Sequence, residues 1–411
     1  MGIKAVIKGL IGENNVRRIL RGVALMKHSG KPNVEGNVLK LIQKKGYHTF
    51  FGYYDYEQFS CDDTKLLFHR VRKNADPLKD DAEICCYDLA SDTTEKVTET
   101  SLWSWQQGAR LCWLPGSNEE ILYNDMERGE YVSVKYNIST GERTVYPMPL
   151  YDFNMSRGFG LSLNFSRLQR LRPGYGYLRV ADSTEQDKAP EGDGVFRLDF
   201  STGERRLLVS LSDLADANDK DRKYTHYINH ICISPSGERF SYFHLWVDEA
   251  GKWYTRLYVC SSEGADNRAV EEEFKVSHYT WRDDSHLLLT CYRGEEQFYQ
   301  LINVDDLTKR KLPHSCLNKD GHPSYLDDSL IITDTYPLGD SMQELFLCDT
   351  EISGTKRLVA RVFHHPFLFG EERCDLHPRL SHDKKLVCID TTAFKKIRSC
   401  AVFKIVGEGN E

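Results

Sequence analysis

From residue 37 onward, short apolar runs alternate with polar turn signals, and the alternation repeats along the chain. An apolar run, a polar turn and a second apolar run occupy 50–69, with Cys61-Asp62-Asp63-Thr64 at the turn, and 110–125, with Pro115-Gly116-Ser117-Asn118. The same unit returns at 321–334 and 375–390, and a less regular copy lies near 158–180. Its two sharpest copies fall between Tyr224 and Arg293, around Ser234-Pro235-Ser236-Gly237 and Arg282-Asp283-Asp284-Ser285. A second recurring unit is a β-turn between later strands: Asp88-Leu89-Ala90-Ser91, Asn137-Ile138-Ser139-Thr140-Gly141-Glu142 and Asp199-Phe200-Ser201-Thr202-Gly203-Glu204. Asp, Ser, Thr and Gly suit such turns through local side-chain hydrogen bonds and left-handed backbone geometry.

Two hairpins per repeat make a four-stranded antiparallel blade, and about seven such repeats fit the available length. The pattern predicts an all-β fold, a seven-bladed β-propeller over residues 37–411. Ring closure removes exposed sheet edges. The last repeat lacks a fourth strand, and 38–43 is expected to supply it. Before the repeats, Ile3, Val6, Ile7, Leu10, Ile11, Val16, Ile19, Leu20 and Val23 recur at helical spacing among lysines and arginines. Residues 3–26 therefore read as one or two basic amphipathic helices, with a possible break at 12–15. They could cap the folded domain or contact an anionic membrane surface peripherally. Residues 28–36 read as a linker, which sets an N-terminal segment of 1–36 apart from the propeller.

At 411 residues, 40% apolar and 11% aromatic, the chain can bury a large core. A net charge of −7, with no basic run beyond the N-terminus, argues against nucleic acid as a partner. The twelve cysteines include no CxxC pair and mostly sit in apolar strands, as expected of reduced thiols rather than a disulfide framework. Charged residues interrupt the first 27 positions, and no stretch approaches the ~20 apolar residues of a membrane span. The expectation is a soluble cytoplasmic protein, with peripheral contact to the inner membrane as an option.

In a hairpin, the start of the first strand and the end of the second share one sheet edge. His230 and His244 stand fourteen residues apart, as do Tyr279 and Arg293. That spacing predicts His230 beside His244, and His278 and Tyr279 beside Arg293, all facing one pocket. Applied to every repeat, it adds Tyr54, Asp55, His69 and Arg70, then Arg110 and Asp125, then Arg157 or Arg172, then His322 with Asp334, and finally Asp375 and His377 with Asp390. Tyr54, His69, Arg70, His322 and Asp334 are the candidate substrate-binding residues. Two chemistries suit such a ring. Imidazoles and carboxylates from several blades can hold a divalent metal, with His278, Glu372, Asp375 and His377 as candidates. The ion's identity (manganese, zinc, iron or calcium) stays open. Alternatively, His, Tyr and Arg can perform acid–base work on an anionic sugar. The absence of GxSxG, P-loop, dinucleotide and HExxH motifs weighs against serine-hydrolase, nucleotide-driven and zincin chemistry. Cys374 reads as a packing residue rather than a nucleophile.

The segments His230–Gly237, Ser277–Trp281 and Asp375–Ser381 resemble those of oligogalacturonate lyases and, more loosely, ulvan lyases, which are seven-bladed propeller polysaccharide lyases. The likeness covers mainly residues 45–400. It implies a divalent metal, typically manganese, near His278 (with Trp281) and His377 (with Pro378). Asp375 and Glu372 stand where the oligogalacturonate lyases have His and Gln. It also implies His244 as a base. That family's arginine after the first histidine has no counterpart, because Ile233 occupies its region, and Arg293 is the substitute. The set His230, His244, Tyr279 and Arg293 is closer to the ulvan lyase pattern. The implied reaction is β-elimination at a uronic acid within an anionic oligosaccharide or polysaccharide, with His244 or Tyr279 taking the proton. The leader Gly9–Arg18 resembles that of cytoplasmic proteins from capsule and lipopolysaccharide clusters. It implies an alternative role in glycan biosynthesis, as a glycosyltransferase or a glycan-binding accessory. A protein-interaction scaffold would instead show a bland channel rim.

Overall fold

The computed structural model describes residues 13–405 apart from 218–221, 313–314, 353–354 and 395. Seven antiparallel sheets follow one another around a ring. Blade 1 spans 47–100, blade 2 spans 112–146, blade 3 spans 152–210 and blade 4 spans 225–271. Blade 5 spans 275–311, blade 6 spans 324–363, and blade 7 comprises Arg379–Leu380, Leu386–Thr391 and Ser399–Lys404. The fourth strand of blade 7 is Val38–Ile42, which pairs antiparallel with Ser399–Lys404, so the two ends of the propeller are clasped in one sheet. Val34–Glu35, within the predicted linker, adds a fifth strand to blade 6 by pairing with Val362 and Arg361.

The recurring turns form for the expected reason. Asp199 Oδ1 accepts the backbone N–H groups of Ser201 and Thr202, at 2.9 and 3.0 Å, and Gly203 follows at φ +73°. Asn137 repeats the device with Ser139, Thr140 and Gly141. Asp88 repeats the side-chain part with Ala90 and Ser91. A side chain that mimics one turn of backbone fixes each hairpin without help from the core.

A helix, α1, runs over Glu13–His28. Its C-terminal part packs on the propeller: the Arg21 guanidinium lies 3.5 Å from the Phe369 ring centre, and His28 stacks on Phe363 at 3.9 Å. This end of the helix behaves as a cap on blade 6 and its crossing to blade 7. Positions 3–12 of the predicted amphipathic segment lie outside the described residues. No described helix is long and apolar enough to cross a membrane. All the described cysteines are free thiols, and most are buried.

The joint between blades 7 and 1 carries a buried histidine. His48 donates from Nε2 to the Lys73 carbonyl (3.0 Å), and its Nδ1 accepts from the Arg398 N–H (3.0 Å). Burial, with Arg398 nearby, lowers its pKa to about 4. The unfolded chain takes up that proton near pH 6.5, so stability is full above 6.5 and drains as pH falls toward 4. In His48→Gln, the drop in urea midpoint between pH 7 and pH 5 is expected to shrink. An unchanged drop would show that this joint is not what acid opens.

Candidate functional site

One loop organises the centre of the ring. Residues 50–56 leave blade 1 and cross the channel, held there by Asp390 of blade 7, whose carboxylate accepts the N–H groups of Phe51 and Gly52. Gly52, at φ +123°, approaches the Gln107 backbone so closely that a Cβ would lie 2.8 Å from its carbonyl carbon. Only glycine fits there. The loop delivers Tyr53 and Tyr54 into a ring of four buried histidines: His230 of blade 4, His278 of blade 5, His322 entering blade 6 and His377 entering blade 7. Tyr54 donates its hydroxyl to the Tyr279 carbonyl (2.8 Å). Asp55 of the same loop forms a two-pronged pair with Arg110 of blade 2, both contacts at 3.0 Å.

Two of the four histidines have left-handed backbones, His230 at φ +51° and His377 at φ +46°, and Arg110 at φ +53° occupies the equivalent point of blade 2. Such geometry in non-glycine residues costs roughly 1–3 kcal/mol each and is kept where the surroundings enforce it. At His230 it accompanies a break in register between Asn229 and Cys232.

His322 and His377 are arranged as ligands. The Nδ1–H of His322 donates to Asp334 (2.8 and 3.0 Å), and the Nδ1–H of His377 donates to the Gly52 carbonyl (2.6 Å). Because those acceptors fix the tautomers, each ring presents the lone pair of Nε2, and both Nε2 atoms are buried without a hydrogen-bond partner. Asp375 joins them. One donor atom from each of His322, Asp375 and His377 lies within 4.8 Å of the others, and all three residues are buried. The Asp375 carboxylate also receives Arg373, Nε at 2.8 Å and a terminal nitrogen at 2.6 Å. Burial opposes its ionisation, but Arg373 and the neighbouring histidines prevail and hold its pKa well below the usual carboxylate range. Burial pushes His377 well below the usual imidazole range, whereas at His322 the Asp334 and Asp375 carboxylates outweigh burial and shift it upward, so that a proton competes with a metal ion for its Nε2. Two imidazole nitrogens and a carboxylate suit a divalent cation such as zinc, manganese or iron.

His278 lies against His322, with ring centres 4.1 Å apart, but has its own partner. Its Nδ1–H donates to Asp320 (3.0 Å), which also accepts Thr290 and Tyr292 hydroxyls at 2.8 and 2.7 Å. Burial would raise the Asp320 pKa, yet His278 and the hydroxyls hold it low, so the carboxylate stays charged and orients the imidazole. A space of about 20 Å³, lined by Tyr53, Arg172, His230 and His278, lies beside it, enough for one small molecule the size of water. Arg172, Tyr175 and Trp253 are shared between that space and an open cleft of about 680 Å³, which Arg373 also lines. The Arg172 Nε lacks a hydrogen-bond partner, and its guanidinium lies 5.0 Å from the Tyr175 and Trp253 ring centres.

Several sequence-predicted residues stand elsewhere. His244 pairs in register with Ile228, because the bulge at His230 breaks the simple count, and its Nε2 lies 2.8 Å from the Nδ1 of His226. Arg293 ends its strand in solvent and pairs with Glu296, and His278 faces Thr290 instead. Glu372 is exposed on the 3-10 turn Gly370–Glu372, away from the three clustered donors, because the chain turns before entering the channel. His69 accepts the Ala109 N–H between blades 1 and 2, and Arg70 pairs with Glu83. Tyr279 is buried with its hydroxyl donated to the His230 carbonyl. His322 and Asp334, read as substrate contacts, are both buried and bonded to each other through the His322 Nδ1–H. Asp320, Arg373 and Trp253 went unnoticed in the sequence.

The seven-bladed propeller has counterparts among solved structures. The chain is similar to an oligogalacturonate lyase in complex with manganese (TM-score 0.65, 16% identity, 92% of this chain and 94% of that one). It is also similar to an oligogalacturonate lyase from Vibrio parahaemolyticus (0.62, 14%, 92% and 98%). The tricorn protease matches more distantly (0.51, 12%, 86% and 34%). At these identities the likeness establishes the fold. No protein-family model and no curated protein matches the sequence.

Proposed function

We propose that the chain is a lyase of uronate-containing oligosaccharides, with a divalent metal held by His322, Asp375 and His377. The supporting observation is that His322, Asp375 and His377 each bring a donor atom within 4.8 Å of the others, with the Nε2 of both imidazoles buried and unpartnered, close to a cleft lined by Arg172 and Arg373. The fold shared with two oligogalacturonate lyases, one a manganese complex, is consistent with that chemistry. A divalent ion bound there would draw charge from the C6 carboxylate of a uronate and acidify its C5 proton.

The chain's own residues supply the rest. Arg172 neutralises the substrate carboxylate from the cleft side. His278, its Nδ1–H engaged by Asp320, offers Nε2 as the base for the C5 proton. As that proton leaves, the C5–H electrons form the C4=C5 bond, the C4–O bond breaks, and the departing oxygen is protonated from solvent. Tyr54 stays un-ionised through burial and keeps the loop over the centre. His244 and Tyr279 have no part in this scheme.

The test is a panel of uronate oligosaccharides followed by ultraviolet absorbance of the 4,5-unsaturated product, with and without chelator. The expected result is absorbance growth on at least one uronide, abolished by chelator and restored by Mn²⁺. No growth on any uronide with Mn²⁺ present would sink the proposal.

A further inference from the structure

Outside the cleft, between blades 4 and 5, lies a second groove of about 580 Å³ that the scheme above does not use. Its walls are aromatic. Trp246 and Tyr254 are stacked at 5.4 Å with only 10° between their planes, and Trp253, Phe274 and Tyr292 stand half-buried beside them. Its charges are mainly positive, with Lys252, Arg256 and Lys275 against Glu272 and Glu273. Glu272 is committed to Arg256 at 3.1 Å. Lys275 has no carboxylate partner among the described residues; its ammonium instead lies 3.7 Å from the Trp253 ring centre and 5.2 Å from that of Tyr292.

Trp253 connects the two regions, lining this groove, the 680 Å³ cleft and the small space beside His278. Arg172 approaches its ring from the cleft residues and Lys275 from the outer groove residues. Aromatic faces with cations poised over them suit a ligand that is flat and apolar on its ring faces and anionic at its edge. A pyranose carrying a carboxylate has that character. Both volumes fall in the range of small-molecule sites, room for about one or two sugar rings each.

We propose that the outer groove is a distal subsite for the same glycan chain, seating a uronate residue against the Trp253 and Tyr254 rings, where the flexible Lys275 and Lys252 side chains now lie, and pairing its carboxylate with Lys275. The inference rests on the lyase reading and extends it: the substrate is an oligomer that runs from the histidine centre across Trp253. The enzyme then distinguishes chain length by a site remote from the reacting bond.

The test uses digalacturonate and tetragalacturonate as probes with Mn²⁺-supplied protein, read by stopped-flow tryptophan fluorescence before turnover. Wild type is expected to bind the tetramer about tenfold more tightly than the dimer. In Lys275→Gln and in Tyr254→Ala, the tetramer is expected to bind no more tightly than the dimer. A length gain that survives in both variants overturns the subsite, as does dimer binding by wild type with no gain for the tetramer. Failure of wild type to bind either probe overturns the uronide reading, and the subsite with it.

Discussion

His377→Ala is expected to purify without stoichiometric metal and to lose activity by about a hundred- to a thousandfold, the scale expected when a group stabilising developing charge is removed. His322→Ala should behave the same way, because each ring contributes one orphaned Nε2 to a three-donor set. The supporting hydrogen bonds give a graded version. Asp334 holds the Nδ1–H of His322 and also accepts the backbone N–H of His377 at 3.2 Å, so Asp334→Asn loosens both ligands. Its metal affinity is expected to fall about 10–100-fold with the fold intact. His69→Gln is the control, a buried histidine whose Nε2 is already occupied by the Ala109 N–H. Elemental analysis of the purified proteins reads all four. Full metal content in both alanine variants would remove the assigned ligands.

Arg379→Met is expected to cost about 3–5 kcal/mol of stability, because it leaves the Asp390 charge buried without its partner. Both side chains are only 1% exposed, and they meet at 2.8 Å. Asp390 also anchors the Phe51 and Gly52 amides, while Arg379 donates to Gln58 (2.9 Å) and to the carbonyls of Leu376 and His377. One buried pair therefore ties the clasped blade to the loop that carries Tyr53 and Tyr54 over the histidines. Denaturant titration should show the loss, and metal affinity should fall with it. Arg293→Ala removes an ion pair in solvent and should change stability by less than about 1 kcal/mol. Equal losses in the two variants would mean that the Arg379–Asp390 pair has no special role.

The ring and its closure could be read from the sequence because both depend on local, repeated signals. Turn residues such as Asp199 act within three positions, and the missing fourth strand of the last repeat pointed to the apolar run at 38–43, whose Val38–Ile42 does supply it. Histidines at strand starts could likewise be expected to converge, and His230, His278, His322 and His377 do. Assigning their partners by counting failed wherever register did not run true. The bulge at His230 moved His244 away from it, and the strand carrying Arg293 runs past the channel into solvent. The support residues come from loops, where no periodicity exists to read. Asp320 sits two positions before His322, on the far side of Gly321, whose Cβ position lies 2.1 Å from the Asp334 carbonyl oxygen. Arg373 pairs with Asp375 two positions on, just after the 3-10 turn that leaves Glu372 exposed.

Crystals grown with Mn²⁺ and measured at the manganese absorption edge give the most direct test. The expected anomalous map has one strong peak bonded to the Nε2 atoms of His322 and His377 and to the Asp375 carboxylate. A peak elsewhere, or none where those three side chains meet, would contradict the metal-assisted elimination proposed here.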